Sequence, residues 1–296
     1  MRASTTLLAP ALLALSSLAL AQTPTTLDKV KANGSISVAY RESSIPFSYL
    51  GADGHPVGFG WEVCGKIVEQ VKKATGRADL KVTTQAVTSQ NRIPLLQNGT
   101  IDIECGSTTN NSERAKQVAF ATNYFYTGTR FLVRSESPVK SIADLKSKKV
   151  VSTTGTTNYQ VLRKLNAEQN LGFELMTAKD HAESALLVQQ QRADAFGMDD
   201  ILLYGLRASA ANPAELAVVG EAIQVEPYAI MLRRDDPAFK KLVDDTLAAL
   251  IRSGEFEALY KKWFQSPIPP KGINLNAPMS KELQENLKAL SDKPAL

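Results

Sequence analysis

Ile101-Asp102-Ile103-Glu104-Cys105-Gly106-Ser107-Thr108-Thr109-Asn110-Asn111-Ser112-Glu113-Arg114 reads as an alternating apolar strand that runs into a turn of hydroxyl and amide side chains and ends on an arginine. Such a turn suits capture of a small carboxylate: hydroxyls and free backbone N–H groups hydrogen-bond its oxygens, and a guanidinium clamps them bidentately. The same residues also fit a capped strand-to-helix turn with a solvated arginine. On their own they do not separate the two readings.

Outward from this stretch, strand and helix patterns alternate, which predicts an α/β class. Residues 27–31 make a short amphipathic helix closed by Asn33-Gly34, followed by a strand through Ile36, Val38 and Tyr40. A helix is expected over Val63 to Val71, a strand over Leu80 to Val87, and then a helix capped by Ser89 and closed at Asn98-Gly99. In the second half, Lys149 to Val151 and Ala193 to Gly197 read as strands, Gly155-Thr156-Thr157 opens a helix, and Phe239 to Ile251 carries helical spacing. The prolines at 267, 269 and 270 lead to a weakly amphipathic tail around Leu283 to Leu290, either docked or frayed.

The unusual polar residues fall at one recurring place on this map. Arg41 follows a strand, Ser89 and Arg92 open the helix after another, and Ser107, Thr109 and Arg114 follow a third; Thr157 and Asp199 take the equivalent positions in the second half. In open α/β sheets, ligands bind in the crevice at the carboxyl ends of the strands, where helix N-termini also favour anions. Each residue alone reads as a cap or a surface charge. Their shared position argues for one site.

Composition narrows the classes. The 34 Lys and Arg residues exceed the 30 Asp and Glu residues only slightly and form no basic stripe, so nucleic acid is not an expected partner. His55 and His181 are the two histidines, and no Cys/His spacing fits a metal site or implies a cofactor. Cys64 and Cys105 are equally compatible with a disulfide and with two buried thiols, because sequence does not give their separation. Arg2, the small apolar stretch from Leu7 to Leu20, and Ala19-Leu20-Ala21 before Gln22 describe a secretory signal over residues 1–21, cleaved after Ala21. A periplasmic, soluble product is therefore expected. About 275 residues remain, comfortable for two lobes.

Several long stretches carry a family resemblance: Arg41-Glu42-Ser43-Ser44-Ile45-Pro46-Phe47-Ser48-Tyr49, the run from Thr88 to Thr100, Glu104 to Asn111, Ala178-Lys179-Asp180-His181, Met198-Asp199-Asp200, and Trp263 to Pro270. From about Thr26 to Asn276 the chain resembles the periplasmic solute-binding proteins of polar amino-acid ABC transporters, and within them the glutamate/aspartate-binding group. The resemblance implies a two-lobed periplasmic-binding-protein fold (type II) with hinge crossings near Tyr126 to Thr129 and near Glu226 to Tyr228. Lobe one would comprise residues 27–125 and 229–296, and lobe two residues 130–225. It implies a monomer that serves an inner-membrane ABC permease and needs no cofactor. It also implies that Arg114, Ser107, Thr109 and Thr157 hold a ligand's α-carboxylate, Asp199 its α-ammonium, and Arg41, Ser89, Arg92 and His181 its side-chain carboxylate.

Counting charges in that set supports an acidic ligand: three arginines and one aspartate leave the site at about +2, against about −1 for a glutamate or aspartate zwitterion. The chain departs from the family at Ile230, where related sequences often carry a cysteine, and at Trp61-Glu62-Val63. The rival class is an enzyme on the same fold, such as a dehydratase acting on a small carboxylate. The expected site lacks a nucleophile–base pair, which favours a binding protein. Glu42, Glu104 and Glu113 are the nearby acids that an enzyme could use.

Overall fold

The computed structural model describes residues 24–295; the expected signal segment lies outside the described residues. Two sheets organise the chain. In spatial order the first runs Lys81–Ala86, Ser35–Tyr40, Ile103–Glu104, Met231–Leu232 and Ala119–Phe120. Ser35–Tyr40 is parallel to both of its neighbours, with Ser35 opposite Lys81 and Val38 opposite Ile103. Three carboxyl ends therefore share one edge, and from it depart Arg41, the Val87–Arg92 turn and the Gly106–Arg114 loop.

The second sheet runs Glu174–Ala178, Lys149–Thr153, Ala195–Asp199, Phe125–Arg134 and Leu216–Val219. Its first three strands are parallel, so Thr157, His181 and Asp199 also gather at carboxyl ends. The ten-residue strand Phe125–Arg134 pairs with Ala195–Asp199 along its later half and with Val225–Tyr228 at its start, where Thr127 faces Glu226 and Phe125 faces Tyr228. The two chain crossings between the sheets thus lie side by side as one antiparallel ribbon.

Apolar periodicity explains the helices that cover the first sheet. Phe59–Thr75 buries Val63, Ile67 and Val71 on one stripe and Cys64 and Val68 beside it, and Gly76 closes it in the left-handed conformation. Pro237–Ser253 buries Phe239, Val243, Leu247 and Leu250 on the same principle. Beneath the ribbon lies an aromatic cluster: Phe47 packs on Phe125 at 4.9 Å and on Tyr228 at 5.2 Å, and Phe125 stacks on Phe264 at 5.0 Å between ring centres. Each such pair adds about 0.5–1.5 kcal/mol beyond its buried area, so this is a stiff seat for the crossings.

Two questions left open by the sequence are answered here. Cys64 and Cys105 form a disulfide with a Cα–Cα distance of 5.8 Å, tying the helix Phe59–Thr75 to the strand end from which the Gly106–Arg114 loop departs. A crosslink of this kind contributes about 2–4 kcal/mol, chiefly by restricting the unfolded chain. The tail is docked. After the helix Lys281–Ala289, Ala295 pairs with Asn111, Ser112 N–H donates to Ala295 O at 3.0 Å, Asn110 Nδ2 donates to Asp292 O at 2.8 Å, and Asn123 Nδ2 donates to Lys293 O at 2.9 Å. The tail therefore braces the loop that presents Thr109 and Arg114.

Candidate functional site

All nine residues expected at the site lie between the two carboxyl edges, and eight of them are buried. The intermediate one is Thr157 at the head of the helix Thr157–Glu168. Gly155 sets the approach of the two halves. With φ at +81°, a conformation that glycine alone adopts freely, it sits so close to Gln90 that a Cβ would fall 2.6 Å from the Gln90 Cα.

One end of the cleft is built around two arginines. Arg41, 2% exposed, donates through Nη2 to Ser89 Oγ at 2.8 Å and lies 3.2 Å from His181 Nε2. Ser89 therefore serves Arg41 and does not cap the helix Arg92–Gln97, whose N-cap residue is Asn91. A guanidinium only donates, so His181 Nε2 must accept; the ring proton then lies on Nδ1 and is donated to Thr153 Oγ1 at 2.9 Å. Burial, with the charges of Arg41 and Arg92, holds the imidazole well below its ordinary pKa and thus neutral. Through this contact His181 orients Arg41.

Arg92 is also 2% exposed, and its Nε and the Arg41 Nη1 are buried with no hydrogen-bond partner within the described fold. Burial, together with the charge of Arg92, pushes Arg41 down to about 9, still protonated at neutral pH. A buried cation without an acceptor costs several kcal/mol. The charge of Glu104 offsets part of that cost, and an anion placed against the guanidinium would offset more.

The other end is built around hydroxyls and carboxylates. Arg114 reaches across the cleft, donating through Nη1 to Thr109 O at 3.0 Å and through Nη2 to Gly155 O at 3.1 Å. Ser107 Oγ is buried without a partner. Asp199 accepts from Asn158 Nδ2 at 2.8 Å and from the Tyr228 hydroxyl. Thr109 and Thr157 each donate their hydroxyl proton to Glu226 Oε2 at 2.7 Å. Their side chains therefore have no proton left for a ligand carboxylate, which leaves their backbone N–H groups as the donors.

Two further carboxylates lie here; the sequence singles out Glu104 as a nearby acid but not Glu226. Glu226 stands on the second crossing, and Glu104, fully buried, accepts from Thr108 Oγ1 at 2.7 Å and acts electrostatically on Arg41 and Arg92. Gly106 makes room for it, since a Cβ there would fall 2.1 Å from Glu104 Oε1. With both included, three arginines face three carboxylates, so the inferred excess of about +2 does not survive as a total. What survives is a partial segregation: Arg41 and Arg92 with Glu104 beside them at one end, Asp199 and Glu226 at the other. Asn158 and Tyr228, which fix Asp199, were likewise missed. Among the described residues no group of His, Cys, Asp and Glu is arranged to hold a metal ion, and no helix is long and apolar enough to cross a membrane.

Residues 36–266 match the family model described as bacterial extracellular solute-binding proteins, family 3. The chain belongs to this family. It is 49% identical over 271 residues, covering 91% of this chain and 90% of the relative, to the L-glutamate/L-aspartate-binding protein of Pseudomonas aeruginosa. It is 50% identical over 268 residues, 90% of this chain and 89% of the relative, to the glutamate/aspartate import solute-binding protein of Escherichia coli K12. Among solved structures, a mutant of ArgBP from T. maritima superposes with a TM-score of 0.72 at 26% identity, covering 81% of this chain and 99% of that one. The family-3 fold is the two-lobed type, so the site described above is an interlobe cleft. The near relatives are transport binding proteins, not enzymes.

Burial, and after it the charge of Glu226, raises the Asp199 carboxyl from its ordinary 3.8 to about 7, against the hydrogen bonds from Tyr228 and Asn158. Below 3.8 both the folded and the unfolded chain hold this proton; as pH rises the unfolded chain loses it first, so the stability contribution falls until the folded group also ionises. An ammonium group placed beside Asp199 would lower its pKa and expel the proton. Affinity for a ligand that sets an ammonium there should therefore fall as pH drops from 7 to 5, by up to about tenfold per unit, and binding should release a proton. Calorimetry in two buffers of different ionisation enthalpy measures that release, which Asp199→Asn should abolish.

Proposed function

We propose that this family-3 protein captures L-glutamate and L-aspartate in its interlobe cleft and delivers them, as a periplasmic monomer, to an inner-membrane ABC permease. The observation that carries the ligand class is Arg92, a buried guanidinium without an acceptor, beside Arg41 held by Ser89 and His181. The names of the two near relatives support the same reading. In it, Arg41 and Arg92 meet the side-chain carboxylate. Arg114, Ser107 Oγ and the backbone N–H groups of Thr109 and Thr157 hold the α-carboxylate, and Asp199 holds the α-ammonium. Residues 27–125 and 229–296 form one lobe and 130–225 the other, with hinges at 126–129 and 226–228.

A neutral amino acid would leave Arg92 unpaired in the closed cleft, which is the basis of rejection. The test is calorimetry and thermal melting of the protein after denaturation, removal of any retained ligand, and refolding. Glutamate and aspartate should raise the melting temperature, whereas lysine, arginine and leucine should not. Stabilisation by lysine with none by glutamate would overturn the reading.

A further inference from the structure

Glu226 is 1% exposed and sits on the second crossing strand, Val225–Tyr228. Its Oε2 accepts from Thr109 Oγ1 and from Thr157 Oγ1, both at 2.7 Å, and its Oε1 accepts from Gln224 Nε2. All three donors are neutral, an unusual setting for a buried carboxylate, which ordinarily takes a cationic partner.

The hydroxyl count gives the consequence. Each threonine has one hydroxyl proton and two acceptor lone pairs. With both protons committed to Glu226, the two oxygens, 3.4 Å apart, can only accept from a third group. Tyr228, two residues along the same strand, directs its hydroxyl to Asp199, so a second carboxylate belongs to the same end of the cleft. Acceptor oxygens backed by two carboxylates select a compact cation that carries several protons. Thr109 and Thr157 lie in different lobes, so Glu226 assembles this arrangement only when the lobes close.

We propose that Glu226 is a specificity-determining positioning residue: it polarises the Thr109 and Thr157 hydroxyls into acceptors and, with Asp199, makes this end of the cleft selective for ligands bearing a protonated α-amino group. The proposal rests on the reading of the protein as an acidic-amino-acid binder and assigns that site's demand for an amine to a residue outside the expected ligand set. A plain latch that holds the lobes together would use the same hydrogen bonds but would not discriminate between ligands.

The test compares L-glutamate with glutarate, the same dicarboxylate without the amine, on wild type, Glu226→Gln and Glu226→Asp, by calorimetry and by competition. E226Q should weaken glutamate about tenfold or more while leaving glutarate unchanged or tighter, so that the preference for the amine shrinks. E226D, which keeps the charge, should retain more glutamate affinity than E226Q. An equal loss for both ligands, unchanged glutamate binding, or E226Q matching E226D would each overturn the proposal. If wild-type glutarate binding is too weak to titrate, its competition limit and the E226Q–E226D comparison decide. Should E226Q not fold, Thr157→Val carries the same test, again with a selective loss of glutamate expected. Wild type that binds no glutamate would instead remove the functional reading beneath.

Discussion

Arg114→Ala should abolish usable binding of glutamate, aspartate and glutamine together. The guanidinium is buried, and burial with the charge of Arg92 brings it down to about 9 without removing its proton at neutral pH. Its two terminal nitrogens already contact Thr109 O, in the loop after the first sheet, and Gly155 O, in the turn after a strand of the second, so its fork is held between the two sheets. On the function proposed above, truncation removes the α-carboxylate clamp as well as the contact across the cleft. Losing one partner of a buried charged pair costs about 2–5 kcal/mol, which is roughly 30-fold to several thousand-fold in dissociation constant. Every α-amino acid offers the same α-carboxylate, so the glutamate-to-glutamine ratio should hardly move. Arg114→Lys keeps the charge without the planar fork and should recover only part of the loss. Titrations of both variants with the three ligands measure this, and near-normal affinity in Arg114→Ala would exclude Arg114 from the clamp.

Much of this site was legible because parallel strands impose a rule of place. Once Ser35–Tyr40, Lys81–Ala86 and Ile103–Glu104 are recognised as parallel neighbours, whatever follows their carboxyl ends must share an edge. Arg41, Arg92 and Thr109 were found that way. What escaped depends on pairing across the molecule. Val225–Tyr228 is a strand because Phe125–Arg134 lies beside it, and only that pairing turns Glu226 towards the two threonines. Read locally, Ser89 is a cap, since a serine before a helix has that use; its bond to Arg41, 48 residues away in sequence, is not a local property. The same holds for Cys64 and Cys105, whose separation of 5.8 Å exists only in the fold. The charge count failed for a related reason. Glu104 reads as a strand residue in sequence, and nothing local says that it lies beneath two arginines.

Arg92→Met should move stability and affinity in opposite directions. Within the fold the Arg92 side chain is buried, its Nε lacks an acceptor, and burial lowers its pKa, all signs of a charge carried at a cost. Replacing a buried, poorly paired ion with an apolar side chain of similar reach is often neutral or stabilising, by about 1–4 kcal/mol. Ligand-free Arg92→Met should therefore melt no lower than wild type, and up to several degrees higher. Glutamate tells the other half. Its distal carboxylate would lose the cation opposite it, so affinity should fall by about 2–5 kcal/mol, and most of the ligand-induced rise in melting temperature should go with it. Glutamine should lose much less, because its neutral amide never compensated that charge. A site built to pair a charge rejects the uncharged analogue mainly by leaving its own group unpaired, and removing the group removes the penalty. Arg41, tied to Ser89 and His181, remains to hold the carboxylate, so the glutamate-over-glutamine preference should shrink without reversing. Calorimetry with both ligands at fixed salt and pH, beside melting curves with and without glutamate, tests the pair of effects. An unchanged preference, or a ligand-free variant that melts far below wild type, would place Arg92 among the structural ions of the fold and outside the ligand pocket.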